Sequence, residues 1–219
     1  MTAEELQLRR AIVCGSGLLY WVGVLVQARR VRKQIGRAPN VRPGGVKERA
    51  LWFGWFLVIL SWVGQPLLVG TAVRTPGLHL INGLTDWAAF AAGLAMIILG
   101  YGGTLWSYHV MGNSWRIGVK EQERTELIRR GPFKWIRHPI YALQVLMLLG
   151  TALLLPTPVS FVMVAVHYLC VRIKAQDEER HLDRIHGLAY RDYASKTGGL
   201  CPNLIGKRPT RPDDAHTDS

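Results

Sequence analysis

Arg137, His138 and Tyr141 stand close together in the run Gly131-Pro132-Phe133-Lys134-Trp135-Ile136-Arg137-His138-Pro139-Ile140-Tyr141, which opens an apolar segment. Asp177-Glu178-Glu179 lies just past the next apolar segment. Out-and-back folding of the two segments brings a cationic and aromatic cluster beside an acidic one. A carboxylate can pair with an ammonium group, while a guanidinium and an imidazole can bind a carboxylate. Aromatic faces can hold a flat ring or a cation. The set is a plausible cradle for a small zwitterion.

Each part also has a plainer reading. Pro139 suits the first turn of a helix, where a missing N–H costs nothing, and puts His138 at or near the N-cap. The free N–H groups and dipole of that helix start favour an anion. Equally, Arg137 can be an interfacial anchor. Asp177-Glu178-Glu179, with Arg180 and Arg184 nearby, can be a solvated helix face. In Gly187-Leu188-Ala189-Tyr190-Arg191-Asp192-Tyr193, a helix stop and interfacial tyrosines compete with Tyr190 or Tyr193 closing over an aromatic base. Asn113-Ser114-Trp115-Arg116 fits an interface, where amphiphilic Trp is expected. Cys14, Cys170 and Cys201 have no metal-ligand spacing, and His181 and His186 face different ways on a helix, so no metal is expected.

The elements that must position these groups are membrane helices. A chain of 219 residues with a formal charge of +12 could bind nucleic acid, but here apolar residues form long blocks and basic residues lie between them. Soluble amphipathic helices would mix the two every few residues. Five blocks stand out: Ala11–Ala28, Leu51–Val73, Leu84–Trp106, Ile140–Leu155 and Val159–Val171. A span needs about 20 apolar residues, which the second and third blocks meet outright. The last two are short and join at Pro156-Thr157-Pro158. The fifth is expected to continue as helix to about Gly187, a C-cap residue. The fold class is therefore all-α, an integral membrane helical protein with about five transmembrane helices. The last two form a helical hairpin.

Charge sets the orientation. The segments Arg29–Arg49 and Ser107–Pro139 and the tail from Arg172 hold eight, seven and nine Lys or Arg, leaving Arg9, Arg10 and Arg74 for the other side. Five crossings place the N-terminus outside and the C-terminus in the cytoplasm. Arg9-Arg10, an apolar run and Val26-Gln27-Ala28 imitate a signal peptide, but cleavage would send the basic Arg29–Arg49 loop outward, so a retained first helix is expected. Three anchoring helices and a basic loop occupy 1–106, the polar motifs 107–205, and a disordered tail 206–219. Gly100-Tyr101-Gly102-Gly103 is expected to serve helix packing.

Taken together, residues 107–195 resemble the isoprenylcysteine carboxyl methyltransferase and phospholipid methyltransferase group of integral membrane enzymes. The resemblance rests on Met111-Gly112-Asn113-Ser114-Trp115, on Leu127 through Trp135, and on Arg137-His138-Pro139-Ile140-Tyr141. It continues through Arg172-Ile173, Glu178-Glu179, Leu182, Gly187, Tyr190 and Tyr193. Phe133 stands where a tyrosine is frequent. The resemblance implies S-adenosylmethionine as cofactor, held in a cytoplasmic-side pocket, and a lipophilic or lipid acceptor entering from the bilayer. It implies cofactor binding by Trp135, His138, Tyr141, Glu178, Glu179 and Tyr190, catalytic roles for Arg137 and Glu178, and no nucleic acid or metal partner. Which acid of Asp177-Glu178-Glu179 meets the cofactor ammonium stays open, as does the acceptor: isoprenylcysteine carboxylate-like, lipid or amine. The architecture also resembles NADPH-dependent sterol reductases, and a non-catalytic membrane scaffold is a third reading.

Overall fold

The computed structural model describes residues 1–36, 45–71, 75–115 and 126–203. Among them, α1 spans Ala3–Ile35, α2 Val46–Leu68, α3 Trp87–Met111, α4 Pro139–Leu154, α5 Pro158–His186 and α6 Leu188–Lys196. Four of these, α1, α2, α3 and α5, are long and apolar enough to cross a membrane. The protein is an integral membrane helical protein with no strand among its described residues. The fourth apolar block forms α4, whose 16 residues make it the short partner of the α4–α5 hairpin.

Local chemistry sets the helix ends. Thr2 and Glu5 form a reciprocal capping box at the start of α1, and Gly36 closes it in the left-handed region at φ 72°. These caps carry α1 well beyond the expected Ala11–Ala28, because apolar content marks only the part within hydrocarbon. Asp86 caps α3 through the Ala89 N–H. Thr157 caps α5 through the Ser160 N–H, with Pro158 in its first turn. α5 then runs unbroken to Gly187 at φ 52°, where the sequence predicts its end.

The helices follow one another around a ring. α3 lies along α4, α4 against α5, α5 against α2 and α2 against α1, while α1 touches α3 and α4 more lightly. Glycine makes the α3–α4 seam close: a Cβ on Gly93 would stand 2.6 Å from the Gly150 carbonyl oxygen, and one on Gly150 2.6 Å from that of Gly93. Gly103 meets Leu143 of α4, so part of the expected glycine packing run serves this seam. At the end away from the polar motifs, buried Arg9 donates to the Leu154, Thr85 and Asp86 carbonyls and covers the Phe90 ring. That clamp ties α1 to the α4 C-terminus, where a cation is favoured.

α3 runs through the expected boundary at residue 106. Arg74, Arg116, most of the loop around Arg42-Pro43-Gly44 and the tail 206–219 lie outside the described residues.

Candidate functional site

The polar motifs converge where the N-terminus of α4 meets the last turns of α5. Three backbone hydrogen bonds hold the approach to α4. The Gly198 N–H donates to the Trp135 carbonyl, Arg137 N–H to Gly198 and His138 N–H to Gly199, a short parallel bridge between the turn and the segment after α6. Pro139 begins α4 and His138 is its N-cap residue, yet the His138 side chain makes no cap hydrogen bond. It points to α5.

There the imidazole sits between two carboxylates. His138 Nδ1 lies 3.4 Å from Glu178 Oε2, and Nε2 lies 3.2 Å from Glu179 Oε1. Burial alone favours the neutral ring. Hydrogen bonds to Glu178 and Glu179, together with their charges, outweigh it and push the His138 pKa up to about 9. The ring also stacks on Tyr141 with centroids 5.8 Å apart. The Tyr141 hydroxyl donates to Glu178 Oε1 at 2.6 Å.

The three acids therefore part company. Glu178 carries Tyr141 and lines a cavity. Glu179 accepts from Arg137 Nε at 2.8 Å and does not line it. Asp177 pairs with Lys47 of α2 at 2.7 Å and with Arg180 at 3.7 Å. Arg137 also donates through Nη1 to the Ala194 and Thr197 carbonyls at the end of α6. It is thus a bracket joining the turn, α5 and α6, with one edge on the cavity.

α6 roofs the site. The Tyr193 hydroxyl donates to the Phe133 carbonyl at 2.6 Å, and Arg129 donates to the Ala189 carbonyl while lying over the Tyr193 ring. The Tyr190 hydroxyl is buried and has no hydrogen-bond partner among the described residues. Burial raises its pKa, so it remains a donor. Phe133, buried, presents its ring to the same space.

The cavity, about 260 Å³, runs from this charged end into the apolar body of the bundle. Its walls include His138, Tyr141, Glu178 and Tyr190, which the sequence singles out together with Arg137. Trp135 is not among them: it is 52% exposed and faces Trp106. Ser114 and Trp115 also line the cavity.

Sequence reasoning misses the contribution of the N-terminal half. Tyr20 and Trp21 of α1, Trp55 and Trp62 of α2, and Tyr108 of α3 line the apolar limb, as do Gln144 of α4 and His167 of α5. Tyr20 stacks on Trp62 at 5.5 Å and accepts a hydrogen bond from Gln144. Gln144 and His167 are polar residues inside apolar blocks, where such groups are expensive. That is the one signal that could have marked them.

Comparison with known proteins bears on the family. Residues 88–189 match the family described as phospholipid methyltransferase. Protein-S-isoprenylcysteine O-methyltransferase of Saccharomyces cerevisiae is 31% identical over 111 residues, covering 48% of this chain and 46% of that one. The uncharacterized protein YpbQ of Bacillus subtilis is 32% identical over 76 residues, covering 33% of this chain and 45% of that one. The matched stretch is thus under half the length of each relative. The family match and the yeast relative bear out the resemblance drawn from the sequence motifs, and Arg137, His138, Tyr141, Glu178 and Glu179 all fall within residues 88–189.

Proposed function

We propose that this chain is an S-adenosylmethionine-dependent membrane methyltransferase acting on a lipophilic acceptor, an isoprenylcysteine carboxylate or another lipid. The observation that carries the reading is one cavity with two characters. A carboxylate and an unpartnered phenol stand at the end near α6, and aromatic rings line the limb between membrane helices.

The residues fit the cofactor. Glu178 offers a carboxylate for an ammonium, and the buried Tyr190 hydroxyl lacks the partner that a ligand would provide. An unmatched buried hydroxyl costs about 1–3 kcal/mol, which a bound polar group would recover. S-adenosylmethionine supplies a methyl already activated on a sulfonium, so the protein's tasks are positioning, water exclusion and desolvation of the nucleophile. Tyr141 holds Glu178 in one orientation through its 2.6 Å hydrogen bond. His138, charged below its raised pKa, sets one positive charge between the two carboxylates. Arg137 positions Glu179 and docks α6 over the space. Tyr20 and Trp62 line the limb that receives the acceptor, and Trp115 shields it.

In the bilayer, the charge distribution puts the α6 end in the cytoplasm and the N-terminus outside, with α4 completing five crossings. Labelling of exposed Cys201 in intact cells and in inverted vesicles reads this directly. For the cofactor, the purified full chain in lipid nanodiscs is titrated with S-adenosylmethionine and, in parallel, with NADPH. Saturable binding of the first alone is the expected result; binding of NADPH instead overturns the reading. Lipid extracts incubated with labelled cofactor then name the acceptor.

A further inference from the structure

His167 is the buried group that the reading above leaves unused. It lies in the apolar N-terminal half of α5, is 3% exposed, and forms part of the cavity wall. Neither ring nitrogen has a hydrogen-bond partner among the described residues, and both are closed to water. Its membrane neighbours are treated differently. Gln65 donates to Thr157 and Ser160 at 2.7 Å, Thr104 to the Gly100 carbonyl, Ser107 to Gly103 and Thr151 to Leu148. Those interior polar groups pair internally, whereas His167 leaves both nitrogens of its ring without a hydrogen-bond partner at the cavity wall.

The position along α5 gives the orphan a meaning. His167 precedes Glu178 by eleven positions. Eleven residues make about three turns, returning to the same helix face about 16 Å away. His167 and Glu178 therefore belong to one stripe facing one cavity, the acid at the charged end and the imidazole deep in the apolar limb. On the α1 wall of that limb, Trp21 Nε1 is a second buried donor without a partner. A limb built for hydrocarbon alone would gain nothing from either group.

We propose that His167 recognises the acceptor. On this inference, which rests on the methyltransferase reading, the imidazole hydrogen-bonds a hydroxyl or carbonyl group carried within the acceptor's apolar portion. The acceptor class is thereby narrowed to lipophilic molecules with a hydrogen-bonding group part-way along the chain, as opposed to those bearing plain hydrocarbon tails. Binding turns a ring nitrogen to that group and ends the orphaned state. Trp21 Nε1 is the adjoining donor in the same limb.

Stearate and its 3-, 7- and 12-hydroxy derivatives serve as probes, because they differ only in the presence and position of one hydroxyl. The full chain in detergent is incubated with stearate and one hydroxystearate in equal amounts, and the two adducts are counted by native mass spectrometry. One neutral hydrogen bond corresponds to a preference of about 2- to 12-fold, expected for a mid-chain hydroxyl and absent for the 3-hydroxy compound. His167→Phe conserves the ring shape and removes the nitrogens. It is expected to abolish the preference while leaving S-adenosylmethionine affinity within about twofold and thermal stability unchanged or higher, since an orphaned polar group gives way to an apolar one. Equal adducts at every hydroxyl position in the parent overturn the proposal, as does a preference that survives His167→Phe. A fall in thermal stability with the preference retained assigns the imidazole to packing. Failure of the parent to bind S-adenosylmethionine refutes the methyltransferase reading separately, because the adduct ratio needs no cofactor.

Discussion

The two ends of the cavity treat polar groups in opposite ways. At the charged end, Arg137, His138, Tyr141 and both glutamates satisfy one another before any ligand arrives. In the apolar limb, the ring nitrogens of Trp21 and His167 have no hydrogen-bond partner among the described residues, and His167 is no less buried than His138. Paired groups hold geometry, whereas an orphaned one still has a hydrogen bond to offer. Tyr190 carries the second kind of behaviour into the first region, and Glu178 is the paired acid that still faces the cavity.

The largest test of the contrast removes the bracket at the charged end. Arg137→Ala breaks the Glu179 pair and frees the Ala194 and Thr197 carbonyls at the end of α6. Each charge-assisted hydrogen bond contributes about 1.5–3 kcal/mol, so a loss of roughly 3 kcal/mol or more is expected in denaturation of the detergent-solubilised protein. Arg137→Lys should recover part of it, keeping the charge and losing the planar fork. Unchanged stability with lost cofactor affinity would turn Arg137 from a bracket into a ligand.

Next comes the division between the two glutamates. Glu178→Gln should weaken S-adenosylmethionine roughly 10- to 150-fold, the equivalent of one charge-assisted bond, with little loss of stability. Glu179→Gln should do the reverse, because its partners are Arg137 and His138. Titration calorimetry alongside thermal unfolding reads both. Equal effects of the two changes on binding would erase the distinction between a ligand acid and a structural one.

How much of this was legible follows from which chemistry leaves a local trace. Pro139, Gly187 and the apolar blocks mark α4 and α5 to within a residue or two, because helix ends are set by nearby capping groups. The turn and the acids are local motifs as well, and the hairpin between them is short, so their meeting could be predicted. Which acid faces the cavity could not: neighbouring residues on a helix point about 100° apart, and the choice depends on how α5 rotates against α2 and α4. The shares of α1 and α2 were hidden for a different reason. Tyr20 and Trp62 look like any interior aromatics until the ring of helices closes and brings them beside Gln144.

A pH titration sharpens the role of His138. Its folded pKa, about 9, exceeds the ordinary 6.5, so the folded state holds more protons between those values. The stabilisation is fully present below about pH 6.5 and is lost as pH rises through about 9. Thermal midpoints measured from pH 6 to 10 should decline across that window in the parent and less steeply in His138→Asn. An identical decline in the variant would mean that another group carries it.

Of similar or smaller size is the effect of Gly150→Ala on the seam behind the site. The new methyl would stand 2.6 Å from the Gly93 carbonyl oxygen and 3.0 Å from Met96 Cβ, so α3 and α4 must part. Overpacking of this kind costs about 1–3 kcal/mol. Stability should fall by that amount, while the ratio of Glu178→Gln to parent affinity is preserved, because the seam positions neither acid directly.

Asp177 gives the smallest expected effect and isolates it from its neighbours. Its carboxylate takes both oxygens to Lys47 Nζ at 2.7 Å, a geometry that on distance alone looks as strong as the Arg137–Glu179 pair. Exposure separates them. The Lys47 side chain is 53% exposed and Asp177 34%, against 17% and 30% for Arg137 and Glu179. Water screens the first pair, and ordering a lysine costs side-chain entropy, so it contributes about 0–1 kcal/mol. Lys47→Ala and Asp177→Asn should each shift the thermal midpoint barely beyond error, the more so at high salt, and leave S-adenosylmethionine affinity unchanged. A tenfold loss of affinity in Asp177→Asn would restore the first of the three acids as the ammonium partner, and would require α5 to turn by about 100° from the orientation that puts Glu178 in the cavity wall.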